Sequence, residues 1–407
     1  MNRNPPRYDV VVIGAGSAGL AAGITAARAG ARTLVVERSG YAGGMGTASL
    51  VHSFCGLYFL RTEPGAVLAN PGICGEIEQR MIAATGIGPR RYGRVDVLPQ
   101  HPVEFVRIAD EMLAAEDRLD LRYHTELAGV RRGADGWTID LLGRGGLLTV
   151  AAAVMVDASG DAATAGFLGA DTAMEPCGRL QRPAYVFGVQ RTNCETKEEN
   201  LATAGWIAAG VRAGELSKDA LGISFRPSGR TGEWFGTIDL TATDDDGGYD
   251  PLDSVCLTRL EIAGRRIAHQ VLGWLSRNAT EWKGARISQW PARAGVRESR
   301  RWIGHTILTG DDILAGNRFT DEAVLATWPI ELRENNRGPK LRFPIDNRPC
   351  GIPRGCLRPK HINRIWIAGR CISADHQAQA SVRVMGTCFA TGEAAGLAAA
   401  HEADGRG

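Results

Sequence analysis

Three things are scarce in this chain, and each scarcity removes a class of function. Charge of one sign is not in excess: 47 lysines and arginines face 45 aspartates and glutamates, for a formal net charge of +2. A nucleic-acid partner calls for a basic stripe, so this balance points to a small-molecule substrate and away from nucleic acid. Long apolar runs are missing too. Nothing reaches the roughly 18 residues of a membrane span, and the opening MNRNPPRYD lacks the apolar stretch of a secretory signal. The expectation is a soluble, cytoplasmic protein with no membrane span and an oligomeric state the sequence does not reveal. Paired cysteines are the third absence. The nine (Cys55, Cys74, Cys177, Cys194, Cys256, Cys350, Cys356, Cys371, Cys388) are odd in number, scattered and never spaced C-x-x-C. That argues against a disulfide framework, a zinc ribbon or a dithiol redox pair, and for a reducing compartment. The eight histidines show no H-E-x-x-H spacing, and neither a G-x-S-x-G elbow nor a G-x-x-x-x-G-K-[ST] loop occurs. Metal hydrolases, serine hydrolases and P-loop NTPases lose support, and no metal is expected.

Glycine is abundant, with 52 in 407 residues. Gly14, Gly16 and Gly19 form G-x-G-x-x-G, a pattern that this glycine density produces roughly once by chance, so its context decides. Before it, YDVVVI (8–13) is a continuous apolar run, as in a parallel strand buried on both faces. After it, residues 17–28 read as an Ala-rich helix with Leu20 and Ile24 on one face, stopped by Gly30, and residues 33–36 as a second strand closing at Glu37. In such a βαβ unit the first glycine turns the chain, the second lets backbone amides approach a pyrophosphate, and the third lets helix and strand pack closely. A carboxylate at Glu37 can accept ribose hydroxyls. The plain alternative is a glycine-rich structural turn.

Farther along, residues 103–116 have helical spacing, with Val103, Val106, Ala109 and Leu113 on one face. LRYHTEL, WTIDLL and LLTVAAA, separated by glycine-rich turns, read as an antiparallel meander, and VMVDAS as a return to the main sheet. Residues 171–342 are less regular, and the acidic TDDDGGYDP within them reads as a solvated loop. A strand at 364–368 ends in Gly369, and an Ala/Gly-rich helix runs from about 384 to 400.

Three segments resemble FAD-dependent oxidoreductases with a glutathione-reductase-like FAD domain: GAGSAGLAAGITAARAGARTLVVE with the following GYAGGMGTASL, VMVDASGDAATAGFLGAD, and the stretch from IPRGCLRPK to GLAAA. RESRRWIGHTILTGDDI and AGRCIS…SVRVM…ATGEAAG are similar to the subgroup called simply FAD-dependent oxidoreductase. The resemblance implies an α/β fold: a Rossmann-type FAD-binding domain with an antiparallel meander, plus an inserted α+β substrate domain. The FAD-binding domain would comprise residues 1–170 and 341–407, with a short substrate-domain excursion near 50–105. The substrate or cap domain would comprise residues 171–340. It implies FAD as cofactor, with Gly14, Gly16, Ser17 and Gly19 at the pyrophosphate, Glu37 and Arg38 at the adenosine, and Gly44 and Met45 along the extended cofactor. Leu127 would contact the adenine, Ala158, Ser159 and Gly160 would close that side, and Gly369 and Arg370 would lie by the ribityl chain and diphosphate. Arg370 stands where the broader class usually has aspartate, and its charge suits a phosphate. Val384, Met385 and Gly386, at the start of the last helix, would face the pyrimidine edge of the flavin, where a helix dipole stabilises negative charge.

Among substrate-handling candidates, His376 is expected as a catalytic base and Arg383 as an anchor for an acidic substrate, each with a structural role as the alternative. Arg297, Arg300 and Arg301, with Glu298 between them, line an anion pocket or form an ion-paired network. His52, Cys55 and Tyr58 follow the glycine pair that should run beside the flavin, where one can touch substrate or cofactor. Trp274, Trp282, Trp290 and Trp302 are expected to be buried. The function expected is dehydrogenation or oxidation of a small organic substrate by hydride transfer to flavin N5. An NAD(P)H-dependent monooxygenase is the first alternative, and a tRNA-acting or non-catalytic flavoprotein the second.

Overall fold

The computed structural model describes residues 5–133, 135–191, 197–241, 248–334 and 338–405, so Cys194 and most of the acidic segment 243–251 lie outside the described residues. The opening unit folds as its pattern predicts: β1 (Arg7–Ile13), α1 (Ser17–Arg28) and β2 (Thr33–Val36). β1 pairs in parallel with β2, from Val10 opposite Thr33 to Ile13 opposite Val36. α1 is apolar on nearly all sides because it is sandwiched between this sheet and the C-terminal helix.

A helix farther along, α2 (Pro102–Ala114), buries Phe105, Ile108, Ala109, Met112 and Leu113. The expected stripe is therefore rotated, with Val103 half exposed at 50%, because Phe105 and Met112 bring more apolar surface to the sheet than the valines do. The meander also differs from expectation. LRYHTEL divides into β3 (Leu119–Arg122), which pairs in parallel with β2, and the start of β4 (Glu126–Gly133). β4 and β5 (Gly136–Gly143) form the meander with β6 (Gly146–Asp157), a single strand that contains both LLTVAAA and VMVDAS up to Asp157. The first half of β6 lies against β5, and its second half is fully buried and parallel to β1. Its burial turns from partial to continuous at the point where it enters the main sheet, and that made one strand read as two.

The segment expected to be less regular holds a second sheet and core. β7 (Ala184–Gln190), β8 (Ser224–Pro227), β9 (Glu233–Asp239) and, after α3 (Ser254–Asn278), β10 (Arg286–Gln289) form an antiparallel sheet in the order β8-β9-β7-β10. Asp253 caps α3 by accepting from the amides of Val255 and Cys256. The helix lays Leu260, Ile267, Ala268, Val271 and Leu275 on the sheet. Gly264 lets it come close, since a Cβ there would sit 2.3 Å from the Tyr185 ring. Tyr185, Phe187, Trp234 and Trp282 fill this core, which runs from Leu180 to Val296. Trp302, Leu308, Ile313, Ala326, Ile330 and Leu332 pack instead on the first core. Of the four tryptophans, Trp282 and Trp302 are buried, whereas Trp290 is 39% exposed. The chain ends with β11 (Ile365–Ile367), parallel to β6, then α4 (His376–Val382) and α5 (Met385–Ala403). No helix among the described residues is long and apolar enough to cross a membrane.

Candidate active site

The carboxyl ends of β1, β2 and β6 converge, and the turns leaving them, with Leu127 and Arg293, build a cleft lined by Gly14, Gly16, Glu37, Arg38, Leu127, Ala158, Ser159, Asp161 and Arg293. Gly14 has φ +92, and a Cβ there would lie 2.8 Å from the Ala158 carbonyl oxygen; at Gly19 it would lie 1.8 Å from the carbonyl of Gly14. Those two glycines lock the turn together. Gly16 is different. Its φ of −64 is open to any residue, and a Cβ would meet only the Gly44 Cα at 3.8 Å. As N-cap of α1 it offers no side-chain cap, so the helix presents its first amides and positive end to the cleft.

The rest of the cleft is arranged by buried acids. Glu37 accepts from the amides of Ala15 and Ser39, each at 2.9 Å, and keeps further lone pairs free. Asp157 accepts from the amide and hydroxyl of both Ser159 and Thr164 and from the Trp302 indole, which fixes the turn carrying Ala158 and Ser159. Burial raises the Asp161 pKa, but Arg370 and Ser299 outweigh it and hold the carboxyl below its usual range. Arg293 has no ion pair among the described residues, and its Nε is buried without an acceptor. Burial and then Arg38 push its pKa down to about 10. A cleft with a half-buried guanidinium that has no ion pair among the described residues, beside an uncapped helix N-terminus and an open glycine, fits a dinucleotide pyrophosphate.

Next to it lies a second cavity of about 1030 Å³, its open mouth included, bounded on one side by the face of the second sheet turned away from that sheet's core. Met45, His52, Cys55, Val384 and Met385 come from one side, and Ala184, Val186, Ser224 and Thr237 from the other. Arg370 lines this cavity and ties it to the cleft, donating to the carbonyls of Gly160 (2.8 Å) and Val296 and pairing with Asp161 at 2.5 Å. Gly369, with φ +77, donates its amide to Thr391 of α5 at 3.1 Å. Val384 is the N-cap of α5 and has no side-chain cap bond, so this helix start also faces the cavity. Gly386 does not line it. Its amide donates to the Cys55 carbonyl at 2.9 Å, and a Cβ would strike the Gly56–Leu57 backbone at 2.5 Å.

His52 stacks on Phe235, with ring centroids 4.8 Å apart. Its Nδ1 lies 3.2 Å from the Leu50 carbonyl oxygen, which can only accept, so Nδ1 carries the proton and Nε2 a lone pair. Nε2 is buried and has no partner. Burial, then Arg226, pushes the His52 pKa down to about 4. Burial and Glu331 push the Cys55 thiol up to about 12, which leaves it a poor nucleophile. Tyr58 points elsewhere, donating to Glu78 at 2.6 Å.

His376 is not among the residues that line the cavity. Its Nδ1 is 2.9 Å from Glu298, which also holds Arg301 at 2.6 Å. The Glu298 hydrogen bond raises the His376 pKa, with burial opposing, and ties the ring to an ion-paired network outside the lining of the cavity. Its partner lies 78 residues upstream, beyond the reach of local sequence. Arg300 donates to the Asp161 carbonyl at 3.2 Å, so VRESRRW is chiefly a buried network, and of its arginines Arg297 alone is among the cavity's lining residues. Arg383 does line the cavity. Arg226 and Arg293 escaped the sequence reading because neither belongs to a motif.

A family model described as FAD dependent oxidoreductase matches residues 9–406. Among solved structures, the chain resembles CabE, an aromatic hydroxylase from angucycline biosynthesis, at 12% identity and a TM-score of 0.52 over 98% of this chain and 63% of that one. It resembles OxyS anhydrotetracycline hydroxylase from Streptomyces rimosus at 15% identity and 0.47, covering 98% and 63%. A geranylgeranyl bacteriochlorophyll reductase-like protein from Thermoplasma acidophilum matches at 11% and 0.49, covering 99% and 79%. The chain thus spans about 63% of the length of the two hydroxylases, and the likeness to CabE is one of fold. No curated protein sequence matches.

Proposed function

The chain belongs to the FAD-dependent oxidoreductase family, and from that premise we propose that it dehydrogenates a small organic alcohol or amine in the cavity beside the cleft, with His52 taking the proton. Gly14, Gly16, Ser17, Gly19 and Arg293 would hold the FAD pyrophosphate, Glu37 and Arg38 the adenosine, and Leu127, Ala158, Ser159 and Gly160 its far side. Gly44, Met45, Gly369 and Arg370 would follow the cofactor into the cavity, where Val384 and Met385 would meet the flavin. Bound FAD supplies a two-electron acceptor that takes a hydride at flavin N5.

The observation that carries the reading is His52 itself, a residue that lines that cavity and whose buried Nε2 has no hydrogen-bond partner. As the substrate C–H bond gives up its hydride, the proton of the adjoining O–H or N–H passes to Nε2, and a carbonyl or imine forms. The bond to Leu50 and the stack on Phe235 hold the ring for this transfer. With a pKa near 4 the imidazole is in its accepting form throughout neutral pH. Met45, Val51, Val186 and Val384 give the cavity wall beside it an apolar surface.

The test is the visible spectrum of the purified protein during anaerobic addition of candidate alcohols and amines. Bleaching of the flavin bands by such a compound alone is expected. Bleaching by NAD(P)H alone, with its consumption stimulated by substrate, would instead establish the monooxygenase. His52→Gln should keep its FAD and be reduced roughly 100-fold more slowly or worse. An unchanged reduction rate would remove His52 from the mechanism.

A further inference from the structure

The cavity wall carries more positive charge than its carboxylates compensate. Five guanidiniums line it: Arg226, Arg297, Arg333, Arg370 and Arg383. Three of them are engaged. Asp239 takes Arg297 at 2.7 Å and Arg333 at 2.8 Å, Glu331 takes Arg333 at 2.8 Å, and Asp161 takes Arg370 at 2.5 Å. Glu331 is further occupied by the Trp328 indole at 2.8 Å. Arg226 and Arg383 are left with no carboxylate partner among the described residues. Arg383 has only the side-chain oxygen of Gln181 and the backbone carbonyl of Glu331, both at 3.3 Å, and its Nε is buried with no acceptor. Burial of this charge pushes its pKa down to about 10. Arg226 reaches the cavity from the edge strand β8, its guanidinium 5.3 Å from the Tyr92 ring centroid.

We propose that Arg226 and Arg383 form an anion clamp, and that the substrate of this site is an organic carboxylate with an apolar body. A carboxylate between them would supply the missing counter-charge, and a planar guanidinium suits its two oxygens. Met45, Val51, Val186, Val296, Val384 and Met385 supply an apolar wall for the remainder, which a small inorganic anion would leave uncovered. The clamp sits in the same cavity as His52, so a carboxylate held there presents its neighbouring carbon to the base. The inference rests on the reading of this cavity as the substrate site.

The experiment titrates the FAD-loaded protein with benzoate, its neutral isostere benzamide and phenyl phosphate, following the flavin spectrum and, in parallel, binding heat. Benzoate is expected to bind at least tenfold more tightly than benzamide. Arg226→Met and Arg383→Met should each abolish that preference without altering benzamide binding, and Arg383→Lys should restore part of it. Equal affinity for benzoate and benzamide, no binding of benzoate, or tighter binding of phenyl phosphate than benzoate would each overturn the proposal. An Arg383→Met protein that loses FAD but keeps its benzoate preference by binding heat would overturn it as well, by assigning Arg383 to the cofactor. Arg226→Met, at an exposed edge, keeps the test available if Arg383→Met fails to fold. A colourless protein that refuses added FAD would contradict the cofactor reading itself, while binding heat would still report the clamp.

Discussion

Gly16 and Gly19 lack the same atom for different reasons, and substitution separates them. A valine at Gly16 has an allowed backbone and room for its Cβ, but its methyls would enter the space expected for the pyrophosphate. Gly16→Val should therefore fold, with a circular-dichroism melt close to the parent, and lose FAD affinity by roughly 100-fold or more in a fluorescence titration. Full FAD occupancy in that variant would remove the cleft as the cofactor site. A methyl at Gly19 would instead strike the Gly14 carbonyl. The motif was legible because a backbone requirement is written locally, in residue spacing. The chemistry at His52, Arg226, Arg293 and Arg383 was less so, because what matters there is the partner each side chain fails to find. His52 adds a signature in pH. Its folded pKa of about 4 lies below its ordinary 6.5, so the unfolded chain binds a proton that the native protein refuses. Its contribution is full above 6.5 and is lost as pH falls toward 4, about 3 kcal/mol across the window. Denaturant unfolding at about pH 7 and about pH 4 should show this loss. His52→Gln should remove that part of the slope, and an identical slope in the variant would contradict the buried neutral imidazole.

At the scale of elements, local signals decided where the reading succeeded. β1, α1 and β2 carry a complete set of boundary residues, and their predicted limits agree with the structure to within a residue. α5 was equally plain from its small residues, which serve close packing. A Cβ at Gly392 would lie 2.1 Å from the Ala18 carbonyl, and one at Gly396 2.3 Å from that of Ala22. α1 and α5 therefore touch backbone to backbone, and the helix start at the cleft is held in fixed relation to the helix start at the cavity. Tertiary context decided where the reading failed. β6 changes neighbours midway, and α2 turns toward the larger side chains, so neither outcome is contained in a window of a few residues. In the sheet β8-β9-β7-β10 only β8 and β9 are joined by a short turn, residues 228–232 with Gly229 and Gly232 at positive φ; β7 and β10 are brought to them across long connections and α3, which no local window contains.

Across the whole molecule, the cavity lies where the face of the second sheet opposite its own core meets the parallel-sheet part of the chain, and charged groups fasten part of that seam. Asp239, at the end of β9, belongs to the second sheet, whereas Arg333 follows Leu332 of the first core. With Arg297 they form a buried arrangement in which one carboxylate serves two guanidiniums. Burial raises the Asp239 pKa, but Arg297 and Arg333 outweigh it and hold the carboxyl below its usual range. Its stabilisation is therefore present above the unfolded carboxyl pKa and is lost as pH falls through the folded one. Asp239→Asn keeps the shape and removes the charge, leaving Arg297 uncompensated and Arg333 dependent on Glu331 alone. Breaking a buried pair by removing one partner costs about 3–5 kcal/mol, because the remaining charge stays desolvated. Hydrogen exchange should then show the amides of β7 and β9 opening at lower free energy while those of β1 and β6 keep their protection, since the lost charge fastens the second core to the first and leaves the parallel sheet intact. Equal loss of protection in both sheets would mean that the two cores unfold as one unit, and unchanged protection would mean that Asp239 does not hold the seam.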